Sequence, residues 1–132
     1  MNAFIIELQN RPGELARIAE GIAEKGINIT GVTGVTMGSQ GAITVITNDE
    51  SGTRSALQGI DCTFREIELV SASLEDKPGT LAAATRRLAD AGVNIETLLA
   101  TGMEGGKIQV AIGVSDAAAA RSALGELAAV GA

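Results

Sequence analysis

Aromatic and basic chemistry is scarce in this chain: there are two Phe, no Trp, no Tyr and no His. Two lone Phe rings give no platform on which successive bases would stack. The missing His removes the side chain that most often serves as general base or metal ligand near neutral pH. The single cysteine, Cys62, has no internal disulfide partner. It also has no His base, so it reads as a structural thiol in a strand rather than a nucleophile. No Cys or His cluster suggests a metal, and no cofactor motif is present. Ten Lys and Arg against 16 Asp and Glu leave a formal charge of −6, spread without a basic block. That argues against nucleic acid and anionic membrane as partners. No apolar run reaches the roughly 18 residues of a membrane span. The opening MNAFIIELQN lacks the basic region of a signal peptide, so the cytoplasm is the expected compartment.

Proline is as rare, and its placement is informative. The two prolines, Pro12 and Pro78, stand 66 positions apart in a chain of 132 residues. Around them the stretch NRPGELARIAEGIAEKGINIT (Asn10 to Thr30) is echoed by DKPGTLAAATRRLADAGVNIE (Asp76 to Glu96). With no gap, Gly13, Leu15, Gly26 and Asn28 fall on Gly79, Leu81, Gly92 and Asn94. The repeat is therefore the architecture, with one module at residues 1–66 and a second at 67–132. A domain of about 60 residues buries only about 60% of its unfolded surface, so fusion or dimerisation would relieve a marginal core.

Within each half the periodicity changes twice. Phe4, Ile6 and Leu8 alternate as a strand, matched by Val70, Ala72 and Leu74. Leu15, Ile18 and Ile22 then form a helical stripe, matched by Leu81, Ala84 and Leu88. Pro suits a first helical position, which places Arg11 and Lys77 at the N-caps, and Gly26 and Gly92 end the helices in left-handed geometry. A hairpin follows in each half, turning at GSQG and at EGG. A second helix is predicted to begin near Asp49 and near Ser115 or Asp116, and in the first half a closing strand runs from Cys62 to Glu66.

The order β-α-β-β-α-β gives an α+β fold class: two ferredoxin-like repeats, each an antiparallel sheet with its helices on one face. At an offset of 66 the closing strand of the second repeat falls on AAVGA, Ala128 to Ala132, so it is expected to be short or missing. Its loss would leave Glu68 to Leu74 as an open edge, to be paired with the other repeat or another chain. Ile5, Ile43 and Val45 are assigned to the helix-free face of the first sheet, and Ser71, Gln109, Ala111 and Gly113 to that of the second.

N-R-P-G-x-L followed by E-K-G-I-N-I resembles the ACT domain, a small amino-acid-sensing module, and D-K-P-G-x-L followed by D-A-G-V-N-I resembles a second copy. The nearest likeness is to the regulatory domain of phosphoglycerate dehydrogenase, although Leu8 stands where that domain has a histidine. The resemblance implies a non-catalytic regulatory protein that holds an amino acid between modules, where the first loop and helix N-terminus of one approach the second strand of another. It also implies a homodimer and, as the alternative, an interaction subunit docking on a partner enzyme without ligand. The candidate ligand-binding positions it implies are Asn10, Arg11, Pro12, Gly13, Asn28 and Ile29 in the first copy. In the second copy they are Asp76, Pro78, Gly79 and Asn94. A helix N-terminus offers N–H groups and partial positive charge to a carboxylate, Gly13 lets the backbone come close, and the Asn10 amide both donates and accepts. Asp76 in place of Asn10 would attract an ammonium and repel a carboxylate. The shortage of aromatics favours a small or branched aliphatic ligand.

Overall fold

The structure is a computed structural model that describes residues 1–128. The chain forms two compact units, one from Asn2 to Glu66 and one from Ile67 onward that includes Met1. In the first unit, β1 (Asn2–Gln9), α1 (Glu14–Ala23), β2 (Ile29–Met37), β3 (Gln40–Thr47) and α2 (Glu50–Gly59) lead to the start of β4 (Phe64–Glu75). Its antiparallel strands run in the order β2-β3-β1, with the beginning of β4 beside β1, where the Glu7 N–H donates to the Thr63 carbonyl at 2.9 Å.

Cross-strand partners share a face, so the register defines three rows towards the helices: Phe4–Val45–Val32, Ile6–Ile43–Gly34 and Leu8–Gly41–Thr36. The core packs Phe4, Ile6, Ile43 and Val45 against Ile18 and Ile22 of α1 and Leu57 of α2. Ile43 and Val45 therefore lie on the helix side, not the helix-free face expected for them, because β3 opposes β1 with Ile43 directly across from Ile6. The other face carries Ile5, Thr44 and Ile46.

The second unit continues β4 into α3 (Thr80–Asp90), β5 (Ile95–Glu104), β6 (Lys107–Val114) and α4 (Ala117–Leu124), ending in a 3-10 turn at Gly125–Leu127. Its strand order is β4-β6-β5, and Val70, Ala72, Val110 and Ile112 pack against Ala84, Leu88, Ala120 and Leu124 of the two helices. Here the offset between repeats changes. Ile29 corresponds to Ile95, 66 positions on, but the Met37↔Gln40 pair corresponds to Glu104↔Lys107, 67 on. The extra residue is absorbed by a register shift between Ala100 and Gly102 that β2 lacks. Met103 consequently pairs with Ile108 as the counterpart of Thr36, and both Met37 and Met103 are exposed. Gly105 and Gly106, at φ 58° and 76°, supply the two left-handed positions of the tight hairpin turn.

The helix starts also depart from expectation. Gly13 and Gly79, at φ 90° and 89°, are the N-caps, and Pro12 and Pro78 lie in the preceding turn, so Arg11 and Lys77 do not cap. The buried stripe of α1 is thereby Glu14, Ile18, Gly21 and Ile22, while Leu15 and Leu81 stand exposed. At the other end of α3 the Gly92 N–H reaches the Ala89 carbonyl at 3.0 Å and Val93 reaches Leu88 at 2.9 Å, a Schellman closure with Leu88 and Val93 both buried. The first repeat's closing strand and the second's opening strand are one continuous β4. Its second-unit part meets Met1, whose carbonyl accepts from Leu69 N–H at 2.9 Å, and a single antiparallel bridge joins Ala72 to Ala128. Of the AAVGA segment expected to be short or missing as a strand, only Ala128 is among the described residues.

A polar clamp ties the ends of the first unit. The Arg54 guanidinium holds Glu66 through Nε, and through Nη2 at 2.9 Å; Asn2 Nδ2 donates to the same carboxylate at 3.2 Å, while the Asn2 N–H donates to Glu50 at 3.0 Å. The hydrogen bond from Arg54, and then that from Asn2, hold the Glu66 carboxyl below the usual carboxylate range. A depressed folded-state value gives stability that is present above the unfolded-state value and lost as pH falls through the folded one. Glu66→Gln is therefore expected to lower the thermal midpoint at pH 7, and the gap to wild type should close as the pH falls below about 4. Thermal scans across pH check this; a gap that persists in acid would contradict it.

Candidate functional site

A cleft of about 500 Å³ opens in the first unit where the end of β1, the turn into α1 and the strand β2 converge. Its floor is Leu8, Gly34, Thr36 and Ile43, and Leu15 and Val32 form an apolar wall, with Val35 at the strand edge. Leu15 and Val32 are each 53% exposed and Val35 66%, an unusual share of open apolar surface for so small a unit. Charge sits on the opposite rim. Glu14, in the first helical turn, is only 8% exposed, and its Oε2 lies 3.6 Å from Arg11 Nη2 and 3.5 Å from Arg17 Nε. A carboxylate removed from water needs such partners, and its place at a helix N-terminus adds a favourable dipole interaction. Arg17 is further tied down by donating from Nη1 to the Ile60 carbonyl at 3.0 Å, whereas the Arg11 side chain is 62% exposed. The cleft thus offers a cation and an anion side by side, next to an apolar wall.

Asn10 and Arg11 line this cleft, and Pro12 and Gly13 form the turn above it. The Asn10 amide does not fold into its own turn. Its Nδ2 donates to the Gly38 carbonyl at 3.0 Å and its backbone N–H to Ser39 at 2.9 Å, pinning the β2–β3 hairpin to the end of β1. One of its two amide hydrogens is therefore already spent.

Asn28 and Ile29 are not brought to this cleft. They stand at the start of β2, where Asn28 exchanges bonds with Asn48 at 3.0 and 3.1 Å, while Asn10 is beside the hairpin at the strand's far end. A nine-residue strand separates the two ends by about 30 Å.

In the second unit Asp76 repeats the backbone contact of Asn10, donating its N–H to Gly106 at 3.3 Å. Pro78 and Gly79 form the matching turn, closed by Thr80 Oγ1 donating to the carbonyls of Glu75 and Lys77 at 2.7 and 3.2 Å. Asn94 lies apart from them, its side chain donating to Glu96 at 3.2 Å. A cleft of about 350 Å³ in this unit is bounded by Ser73, Glu75, Thr80, Arg87, Lys107 and Glu126, and none of the four predicted positions lines it. Arg87 donates to the Leu124 carbonyl at 2.9 Å and to Glu126 at 2.8 Å, holding the Glu126 carboxyl down to about 2.

Cys62 donates from Sγ to the Leu57 carbonyl at 3.4 Å, and burial pushes its thiol up, away from the reactive thiolate. Among the described residues no group of His, Cys, Asp and Glu could hold a metal, and no helix is long and apolar enough to cross a membrane.

Glu14, Leu15, Val32 and Val35 were not among the positions expected from the sequence. The available signal was the acidic residue immediately after Pro-Gly, where the other copy has Thr80.

A comparison with curated proteins finds no match. Solved structures share the fold. A crystal structure from Bacteroides thetaiotaomicron superposes with a TM-score of 0.77 at 24% identity, over 95% of this chain and 86% of that one. The regulatory subunit of aspartate kinase from Thermus thermophilus, in a ligand-free form, gives 0.65 at 19% identity, over 96% and 91%. The aspartokinase alpha and beta subunits give 0.66 at 21%, over 96% and 91%. Family comparison matches the ACT domain over residues 3–58 and again over 69–132. With both of its halves matched, the chain belongs to the ACT domain family and carries two copies of the domain in tandem.

Proposed function

We propose that this protein is a non-catalytic regulator that binds a small aliphatic amino acid in the first-unit cleft. The observation that carries the reading is the pairing of Arg11 and Glu14 on one rim of an apolar cleft. An α-amino acid presents the complementary set: a carboxylate for Arg11 and the helix N-terminus, an ammonium for Glu14, and a side chain for Leu15 and Val32. Charge-assisted hydrogen bonds of this kind are about twice as strong as neutral ones. Similarity in fold to aspartate kinase regulatory subunits supports a regulatory role.

The response to ligand is a change in association or shape. In its unit β2 is an edge strand with Val35 and Met37 open to solvent, so a second copy could pair there and close the cleft mouth, bringing its own Asn28 from the far end of β2 towards the ligand. A ligand lying across such a contact stabilises it by its differential affinity, and at one hundred times its dissociation constant it adds about 2.7 kcal/mol. The exposed strand edge is also what favours the second reading, an interaction subunit that docks on a partner enzyme without ligand.

Thermal unfolding against the twenty amino acids tests the proposal. A shift of about 2–8 °C per kcal/mol of stabilisation is expected for a group of small aliphatic amino acids and should be lost in Arg11→Ala. No shift with any amino acid at millimolar concentration, together with capture of a purified partner enzyme, would favour the docking reading.

A further inference from the structure

The two units carry different residues at the same register positions, and the differences converge on the cleft. In the first unit the rows that supply its floor residues Leu8, Gly34, Thr36 and Ile43 are Ile6–Ile43–Gly34 and Leu8–Gly41–Thr36; in the second the matching rows are Ala72–Val110–Ala100 and Leu74–Ile108–Met103. Two glycines and a threonine thus face an alanine, an isoleucine and a methionine. On the rim, Glu14 is matched by Thr80, whose hydroxyl is committed to two backbone carbonyls.

The two glycines are not equivalent. A Cβ added at Gly41 would come within 2.8 Å of the Val35 carbonyl, so glycine is required there for the strands to approach. A Cβ at Gly34 would meet only ordinary contacts, 3.6 Å to the Ala42 carbonyl and 3.9 Å to Ile43, and its backbone is not left-handed. Nothing in the fold demands glycine at this position. Glycine there weakens an edge strand and leaves empty space on the cleft floor.

Resting on the amino-acid reading above, we infer that Gly34 sets the capacity of the cleft and that each chain binds one amino acid, in the first unit only. The ligand's aliphatic side chain occupies the space over Gly34, between Leu15 and Val32. At the counterpart positions of the second unit stand the larger Ala100, Ile108 and Met103, and Thr80 takes the place of the buried carboxylate.

The test is isothermal titration of the full chain with L-valine, L-isoleucine, L-leucine and L-phenylalanine, using wild type, Gly34→Val, Gly34→Ala and Ala100→Gly. The expected result is one equivalent of aliphatic amino acid per chain. Gly34→Val should reduce affinity by about 10–200-fold, the scale of a single misfit methylene in a pocket, with a thermal midpoint no lower than wild type. Gly34→Ala should give a smaller loss of the same sign, and it carries the test if the valine variant does not fold. Ala100→Gly should leave affinity unchanged. Wild-type affinity in both Gly34 variants would overturn the role of Gly34 while leaving the amino-acid reading intact, and two equivalents per chain would overturn the single site. If no amino acid binds wild type, the amino-acid reading itself fails and this inference with it.

Discussion

Replacing Phe4 with alanine is expected to destabilise the protein by about 3–5 kcal/mol, the usual range for a buried Phe. Phe4 is fully buried at the centre of the first core, where it meets Val45 and Val32 in its row and faces Phe64 with ring centroids 6.1 Å apart at 52°. That pair is the whole aromatic content of the chain, so Phe64 is the one ring beside the cavity. Domains are held by about 5–15 kcal/mol in total, and a unit this small has little to lose. Chemical denaturation followed by circular dichroism should show the midpoint falling with little change in slope. Leu15→Ala, at an exposed position on the same unit, should change stability by no more than about 0.5 kcal/mol. Equal effects from the two substitutions would mean that the core is not where the packing places it.

Glu14→Gln should cause a large loss of ligand affinity while keeping the fold. Glutamine preserves the shape of the side chain but removes the negative charge held between Arg11 and Arg17. A hydrogen bond to a charged group contributes about 1.5–3 kcal/mol, which converts to about 10–150-fold in affinity. The loss should be specific for the ammonium: a ligand analogue lacking the amino group should bind wild type and variant alike. Titration of both ligands into both proteins reads this directly. Unchanged affinity for the amino acid would remove Glu14 from the site and leave the cleft without its anion. Thr80→Val, at the corresponding place in the second unit, serves as the control and should leave binding unaltered.

Much of the fold was legible because each element has its own local chemistry. The alternation in Phe4, Ile6 and Leu8, the Pro-Gly turns, Asp49 and Asp116 as caps, and Gly92 as a left-handed stop all act within a few residues of where they stand. What escaped depends on pairing between distant segments. An offset of 66 holds through Ala100, and then one extra residue in β5 moves everything beyond it to 67. Since side chains alternate along a strand, a shift of one changes which face each residue occupies. That is why Met103 aligns with Thr36 rather than Met37, and it makes offset arithmetic unreliable for the closing segment. The faces of Ile43 and Val45 depend on which residue of β1 lies opposite, a pairing between distant segments that local composition does not fix. At the cleft, Asn10 and Arg11 were visible from the Pro-Gly signature. Glu14 was not, because a charged residue in a first helical turn ordinarily faces water, and here the left-handed Gly13 rotates it inward. Gly34, with Gly31 and Gly38, reads from the sequence as a bulge or a close approach of a neighbouring chain or ligand, which does not by itself separate it from the other two.

The most direct test of the account is to record backbone amide NMR spectra of the full chain while titrating L-valine. Binding in the first-unit cleft predicts saturable shifts confined mainly to Asn10 through Leu15 and Val32 through Thr36, with Asp76 through Leu81 unmoved. Shifts centred on the second unit, or no saturable shift for any residue, would contradict it.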